Sequence, residues 1–330
     1  MITEPTHDHL PRWRGFNLLG KYSAHQAFGA FLEWDFQKIS DWGFDFVRFP
    51  MDYRLWIKDG DWRKIDPGAF EDLDQAVEWS RQRGLHVCLN IHRAPGYCIN
   101  QPREPKDLWT DPEAQEVFAS HWAFIAGRYK GIPNREMSFD LLNEPQGVDN
   151  PNYARVMGKL AEAIRSQDSA RILIADGTEV GNNPVPELIP LRVAQATRGY
   201  QPMEVSHYLA PWSPGGGNYP TPAWPMEKDG QKLDKGWLRR EFIQPWKKLQ
   251  SRGVGVFVGE WGVYNKTPHE VALSWMKDHL ELWKEAGWGW ALWNFRGDFG
   301  PLDSKREDVA YEDFEGHRLD RKMLLLLQKY

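Results

Sequence analysis

The chain has 330 residues, with 41 lysines and arginines against 46 aspartates and glutamates, a net charge of −5. That balance, with no basic block, excludes a nucleic-acid partner as the working expectation. No run of 18 apolar residues occurs, so no membrane span is expected, and the polar, proline-containing start MITEPTHDHLPRW does not read as a signal peptide; either the protein stays inside the cell or a signal has been removed.

Short apolar runs recur along the chain, each followed by a polar stretch of helical periodicity. The strands are expected at Trp13–Leu19, Phe44–Met51, His86–His92, Glu136–Asn143, Arg171–Asp176, Met203–Leu209, Val254–Glu260 and Trp288–Phe295. Helices are expected between them, over Asp72–Gly84, Asp111–Lys130 and Tyr153–Gln167, with a closing helix in Leu319–Tyr330. Eight strands alternating with helices predict one domain, an α/β (β/α)8 barrel over residues 1–330 with no appended binding module. The stretch Ala210–Gly236, rich in proline and glycine, breaks the pattern and reads as a long loop after strand six.

Two features set the ligand class. The chain carries 18 tryptophans. An indole brings a flat apolar face suited to the C–H face of a sugar ring, and an N–H that a core must satisfy. Trp34, Trp42, Trp79, Trp122, Trp246, Trp275 and Trp283 sit in helix-like stretches and read as structural; Trp212, Trp224 and Trp293 are the candidates for a cleft. The two cysteines, Cys88 and Cys98, form no disulfide framework. No HExxH, cysteine–histidine cluster or GxSxG elbow occurs, so neither a metal, a cofactor nor a serine nucleophile is expected. The His7-Asp8-His9 pair and the glycines of 253–259 have the wrong surroundings for a metal or nucleotide site.

Barrel enzymes build their sites where strands end. The expected strand ends carry Arg48, His92, Asn143-Glu144, His207-Tyr208, Glu260 and Trp293. Glu144 and Glu260 close strands four and seven, opposite one another in a barrel of eight. Two carboxylates across a cleft can serve glycoside hydrolysis if one holds a proton and the other is ionised. Arg48 is placed to keep Glu260 anionic, and a partly apolar pocket to keep Glu144 protonated.

The segments SFDLLNEP, VGEWG and WALWNF, in that order, resemble glycoside hydrolase family 5, the cellulase and mannanase family. The likeness runs from WRGFNLLG through FVRFPMDY and LNIHRAPG to the tail. It implies that Glu144 is general acid, then base; that Glu260 is the nucleophile; and that configuration is retained, which needs carboxyl groups ~5–5.5 Å apart. It further implies that Asn143 binds the sugar 2-hydroxyl, that Arg48 orients Glu260, that His92 and His207 bind hydroxyls or tune the carboxylates, and that Trp293 is the stacking floor. The family places a tyrosine two residues after its strand-six histidine. Here Leu209 stands there and Tyr208 lies between, so either a bulge brings Tyr208 round or that contact is absent. Arg93 stands where many relatives carry another histidine. The expected substrate is a β-linked polysaccharide or oligosaccharide, β-1,4-glucan first, with mannan, xyloglucan, xylan, β-1,3-glucan or exo action as alternatives, handled by a monomer. A non-catalytic sugar-binding barrel is the reading from another class.

Overall fold

The computed structural model describes residues 4–25 and 29–330. Eight parallel strands close into a barrel: β1 (Arg14–Asn17), β2 (Phe46–Asp52), β3 (His86–Arg93), β4 (Met137–Asp140), β5 (Leu173–Asp176), β6 (Ala194–Gly199), β7 (Val256–Trp261) and β8 (Gly289–Leu292). They pair in chain order, and β8 closes on β1 in the register Arg14 with Trp290. Gly15 is required on the β2 side of β1, because a Cβ there would stand 1.7 Å from the Phe46 carbonyl oxygen.

The outer helices are α1 (Glu33–Asp41), α2 (Glu71–Gln82), α3 (Pro112–Arg128), α4 (Asn150–Gln167), α5 (Gln244–Gln250), α6 (His269–Ala286) and α7 (Arg321–Lys329). Aspartates start three of them: the side chains of Asp111, Asp149 and Asp320 accept from the backbone N–H of Ala114, Asn152 and Met323 at 3.0, 2.8 and 3.0 Å. The connection from β5 to β6 carries only a short turn of helix and a 3-10 segment, Pro186–Leu191.

One expected strand is misplaced. The sixth strand is Ala194–Gly199, not Met203–Leu209, whose first four residues form a short helix instead. The chain crossing from β6 to α5 therefore begins at Tyr200, and it holds a small hairpin of Met226–Lys228 with Gln231–Leu233. Ala194-Gln-Ala-Thr-Arg-Gly lacks the apolar run that marks the other strands, yet all six residues are buried. Gln195 accounts for part of this. Its amide donates to the Val185 carbonyl at 2.8 Å and accepts from the Val185 N–H at 2.9 Å, doing the work of backbone.

The barrel interior explains the site. Leu10, Trp13, Phe46, Cys88, Ile174, Ala196, Phe257 and Ala291 belong to one apolar cluster, and the Phe46 and Phe257 rings meet across it with centroids 4.7 Å apart. Strand residues two apart share a face. Continuing up β2, β3, β5 and β6 from this plug puts Arg48, Asn90, Asp176 and Arg198 inward. On β7 the period is interrupted: the register with β6 shifts between Val258 and Glu260. That bulge turns Glu260 onto the inward layer where Gly259 would otherwise stand.

Candidate active site

Above the apolar plug lies a layer of buried charge. Arg48 is completely buried and all its donors but one are engaged in four contacts: Nε donates to Asp140 Oδ2 at 2.9 Å, Nη1 to Asn17 Oδ1 at 2.9 Å and to Glu260 Oε1 at 2.6 Å, and Nη2 to Asn143 Oδ1 at 2.9 Å. Arg198 faces it from β6. Its Nη1 donates to Asp176 Oδ1 at 2.9 Å and its Nη2 to Asp176 Oδ2, a bidentate pair. The same guanidinium reaches Asn143 Oδ1 at 2.9 Å, Glu144 Oε1 at 3.1 Å from Nε, and Glu260 Oε1 at 3.5 Å.

Asn143 is thereby oriented. Its carbonyl oxygen accepts from both arginines, so its NH₂ must point the other way, and Nδ2 is buried with no protein partner. Glu144 follows in a left-handed conformation, φ +49°. Its N–H donates to Asp176 Oδ2 at 2.8 Å and its carbonyl accepts from the Tyr97 hydroxyl at 2.6 Å. Those two bonds hold the unusual backbone in place. The Glu144 side chain keeps 16% of its surface exposed against 5% for Glu260.

The two glutamates are pushed in opposite directions. Burial, and then the charge of Glu260, raises Glu144 to about 8, with Arg198 pulling the other way. Burial would also raise Glu260, but Arg198 and then Arg48 outweigh it and hold that carboxyl below its usual range. Asp140 is raised to about 7 by burial and by Asp176. His92 is lowered to about 3 by burial, so it is neutral at ordinary pH. The Tyr200 hydroxyl lies 3.3 Å from Glu260 Oε2 as donor, and burial together with the Glu260 charge keeps it a phenol.

Of the residues expected from sequence, Arg48, Asn143, Glu144 and Glu260 converge on this network. His92 and Trp293 stand beside it, their rings stacked with centroids 5.9 Å apart, and Tyr22 closes edge-on over both at 4.6 and 5.3 Å. His207 lies in the crossing after β6, its ring against Tyr200, Trp212 and Phe299. Trp212 is 54% exposed, edge-on to Tyr264. Two expectations need correction. Tyr208 is not the tyrosine beside Glu260; its hydroxyl meets Thr221 Oγ1 at 3.2 Å, and Tyr200 holds the position instead. Trp224 is not a cleft wall: it is 8% exposed and its indole N–H donates to Asp278 of α6 at 3.0 Å, pinning the long loop down. Arg93 turns from the cleft into its own loop, pairing with Glu104 at 2.5 Å and donating to the Asn100 and Pro102 carbonyls.

Sequence reasoning passed over Arg198, Tyr200, Asp176, Asp140 and Asn17. Arg198-Gly-Tyr200 has the two-residue spacing expected of the family's histidine and tyrosine, so the signal was present once the strand was placed correctly. Arg198 stands where the histidine is expected.

Comparison with known proteins gives the family. Residues 11–298 match the family Cellulase (glycosyl hydrolase family 5). Endoglucanase C of Acetivibrio thermocellus is 29% identical over 331 residues, covering 90% of this chain and 95% of its own. Cellodextrinase A of Ruminococcus flavefaciens is 26% identical over 80% of each chain. Among solved structures, a glycoside hydrolase 39% identical superposes with a TM-score of 0.91, covering 96% of this chain and 99% of its own. Endoglucanase Cel5A of Thermotoga maritima, 24% identical, shares the fold with a TM-score of 0.78 over 96% of each chain. This chain is an endoglucanase-like glycoside hydrolase and belongs to the cellulase family, glycosyl hydrolase family 5.

Proposed function

We propose that the protein hydrolyses β-1,4-linked glucan with retention of configuration, Glu260 acting as nucleophile and Glu144 as acid and then base. The observation that carries this reading is the opposed displacement of the two glutamates around a shared arginine, Arg198, with Glu144 raised to about 8 and Glu260 lowered. In the first step a Glu260 oxygen bonds to the anomeric carbon while the bond to the leaving oxygen breaks, and that oxygen takes the Glu144 proton. In the second, a water oxygen bonds to the same carbon, the ester to Glu260 breaks, and Glu144 takes the water's proton. The free NH₂ of Asn143 donates to the 2-hydroxyl of the reacting sugar, and the Trp293 face supports its ring. The Tyr200 phenol donates to Glu260 and holds the attacking oxygen in place.

The glucan reading rests on relatives named endoglucanase and cellodextrinase. Mannan is the second reading, because Cel5A of Thermotoga maritima has been solved with mannotriose as well as with cellobiose. Incubation with soluble β-glucans, mannans and xylans, measuring both reducing ends and viscosity, separates them. Rapid viscosity loss on β-1,4-glucan is expected; activity confined to mannan, or reducing ends without viscosity loss, overturns the substrate or the endo assignment.

Two further results are expected. The profile of kcat/KM against pH is bell-shaped. Glu260 must be ionised, so the acid limb lies below the ordinary carboxylate value. Glu144 must be protonated, so activity falls as pH rises through about 8. Trp212→Ala raises KM for long glucans roughly 5-fold, the worth of about 1 kcal/mol of stacking, and leaves kcat on short aryl glycosides unchanged. Because the indole is 54% exposed, the melting temperature should hardly move.

A further inference from the structure

Arg198 touches both glutamates at once, and the space it occupies is built for it. A Cβ on Gly181 would fall 2.6 Å from Arg198 Cγ, and one on Gly259 would fall 2.7 Å from Nη1. Two glycines on separate elements thus leave the channel through which the side chain passes. Asp176 then fixes the guanidinium plane from below with its bidentate pair. The side chain cannot swing between partners; it is held with Nε toward Glu144 and Nη2 toward Glu260.

We propose that Arg198 is a positioning residue that serves as the common counter-ion of the two carboxylates, pairing with Glu260 before the glycosyl-enzyme forms and with Glu144 after it. The proposal rests on the double-displacement reading above and goes beyond it. In the free enzyme the negative charge sits on Glu260. When Glu260 becomes an ester it loses that charge, and Glu144, having given its proton to the leaving oxygen, gains one. The charge thus moves from one side of a fixed guanidinium to the other, and the buried cation faces one ionised glutamate in both states. A neutral histidine in this place, as the family resemblance leads one to expect, offers no such compensation. The second step gains most, since Glu144 must stay ionised to accept the water's proton.

Other groups face the pair. Glu144 also meets Asp176 and the Tyr97 hydroxyl at its own backbone carbonyl. Glu260 meets Arg48, His92 and Tyr200, and Tyr22 lies close by. Of these, only Arg198 contacts both carboxylates with a positive charge; Arg48 reaches Glu260 alone.

The test uses the whole protein with a dinitrophenyl glycoside, whose leaving group needs no acid, so that the second step limits turnover. In the parent, the second step should stay independent of pH down to or below ~4.3, the ordinary glutamate value, because Arg198 holds the bare Glu144 ionised. In Arg198→Gln that limb should rise by at least about one pH unit, and on glucan, whose leaving group does need the acid, both limbs of kcat/KM should move upward. Arg198→Lys keeps a cation and should leave the limbs near the parent's positions, whatever its kcat. Unmoved limbs in Arg198→Gln, or equal shifts in the glutamine and lysine variants, overturn the proposal and leave Arg198 a packing residue. If Arg198→Gln does not fold, a second-step limb in the parent well above ~4.3 overturns it unaided. Should Glu144→Ala and Glu260→Ala both keep full activity, it is the double-displacement reading that fails.

Discussion

Glu260→Ala is expected to lower kcat on β-1,4-glucan by at least ~10⁴-fold, a loss typical when a covalent nucleophile is removed, while the protein remains folded. The variant deletes the atom that would bond to the anomeric carbon, and no other carboxylate can take over. Asp140 and Asp176 are each occupied by an arginine, and Asp140 lies beyond Arg48 from Glu260. Stability should suffer little in sign or size, because the site holds Asp140, Asp176 and Glu260 against two guanidiniums, and removing one carboxylate relieves crowding as well as breaking the 2.6 Å contact with Arg48. Glu144→Ala should behave differently. Its loss should be large for glucan, whose leaving alcohol needs a proton, and much smaller for the first step on dinitrophenyl glycosides. Added azide should restore turnover there by replacing the water that Glu144 no longer activates. Equal losses on both substrates would assign Glu144 a role other than acid and base.

Arg48→Met is expected to be the most destabilising single change in the site, by about 3–5 kcal/mol, read as a lower urea midpoint. The guanidinium is fully buried and ties its own strand, β2, to side chains from β1, β4 and β7 and to Asn143. Methionine fills the space but leaves Asp140 and Glu260 without their closest cation. Both would shift toward the protonated form, so the acid limb of activity should also rise. Arg63→Met is the control: its ion pair with Glu113 is 53% exposed on the arginine side and should change stability by less than ~0.5 kcal/mol. A similar midpoint for the two variants would contradict the account of the charged layer.

Much of this was legible in the sequence, for a physical reason. A strand that ends in a barrel rim changes abruptly from apolar to polar, so Asn143, Glu144 and Glu260 stand out as polar residues closing apolar runs, and Arg48 stands out as a lone charge inside one. β6 gave no such contrast. Its inward residues are two small apolar ones, Ala194 and Ala196, and the charged Arg198, and Gln195 is spent on the Val185 backbone. The alternating stretch Met203–Leu209 reads as the strand instead, and the tyrosine that faces Glu260 is missed with it. Asp140 and Asp176 were visible as letters but not as partners, since a buried ion network is a property of strands meeting across a barrel. Trp224 shows the same limit: on a loop rich in proline and glycine an indole reads as a sugar platform, and only the 3.0 Å bond to Asp278 reveals it as an anchor. Of the seven tryptophans that read as structural, Trp122, Trp246 and Trp275 are wholly buried, in keeping with the helical periodicity of their segments.

The central claim, a double displacement through Glu260, is tested most directly by following the anomeric protons of the products by NMR in the first minutes of hydrolysis of a soluble β-1,4-glucan oligosaccharide. The account predicts that the β-anomer appears first and that the α-anomer grows in only at the rate of spontaneous mutarotation. Initial formation of the α-anomer would mean that water attacks directly, with no ester to Glu260, and would contradict it.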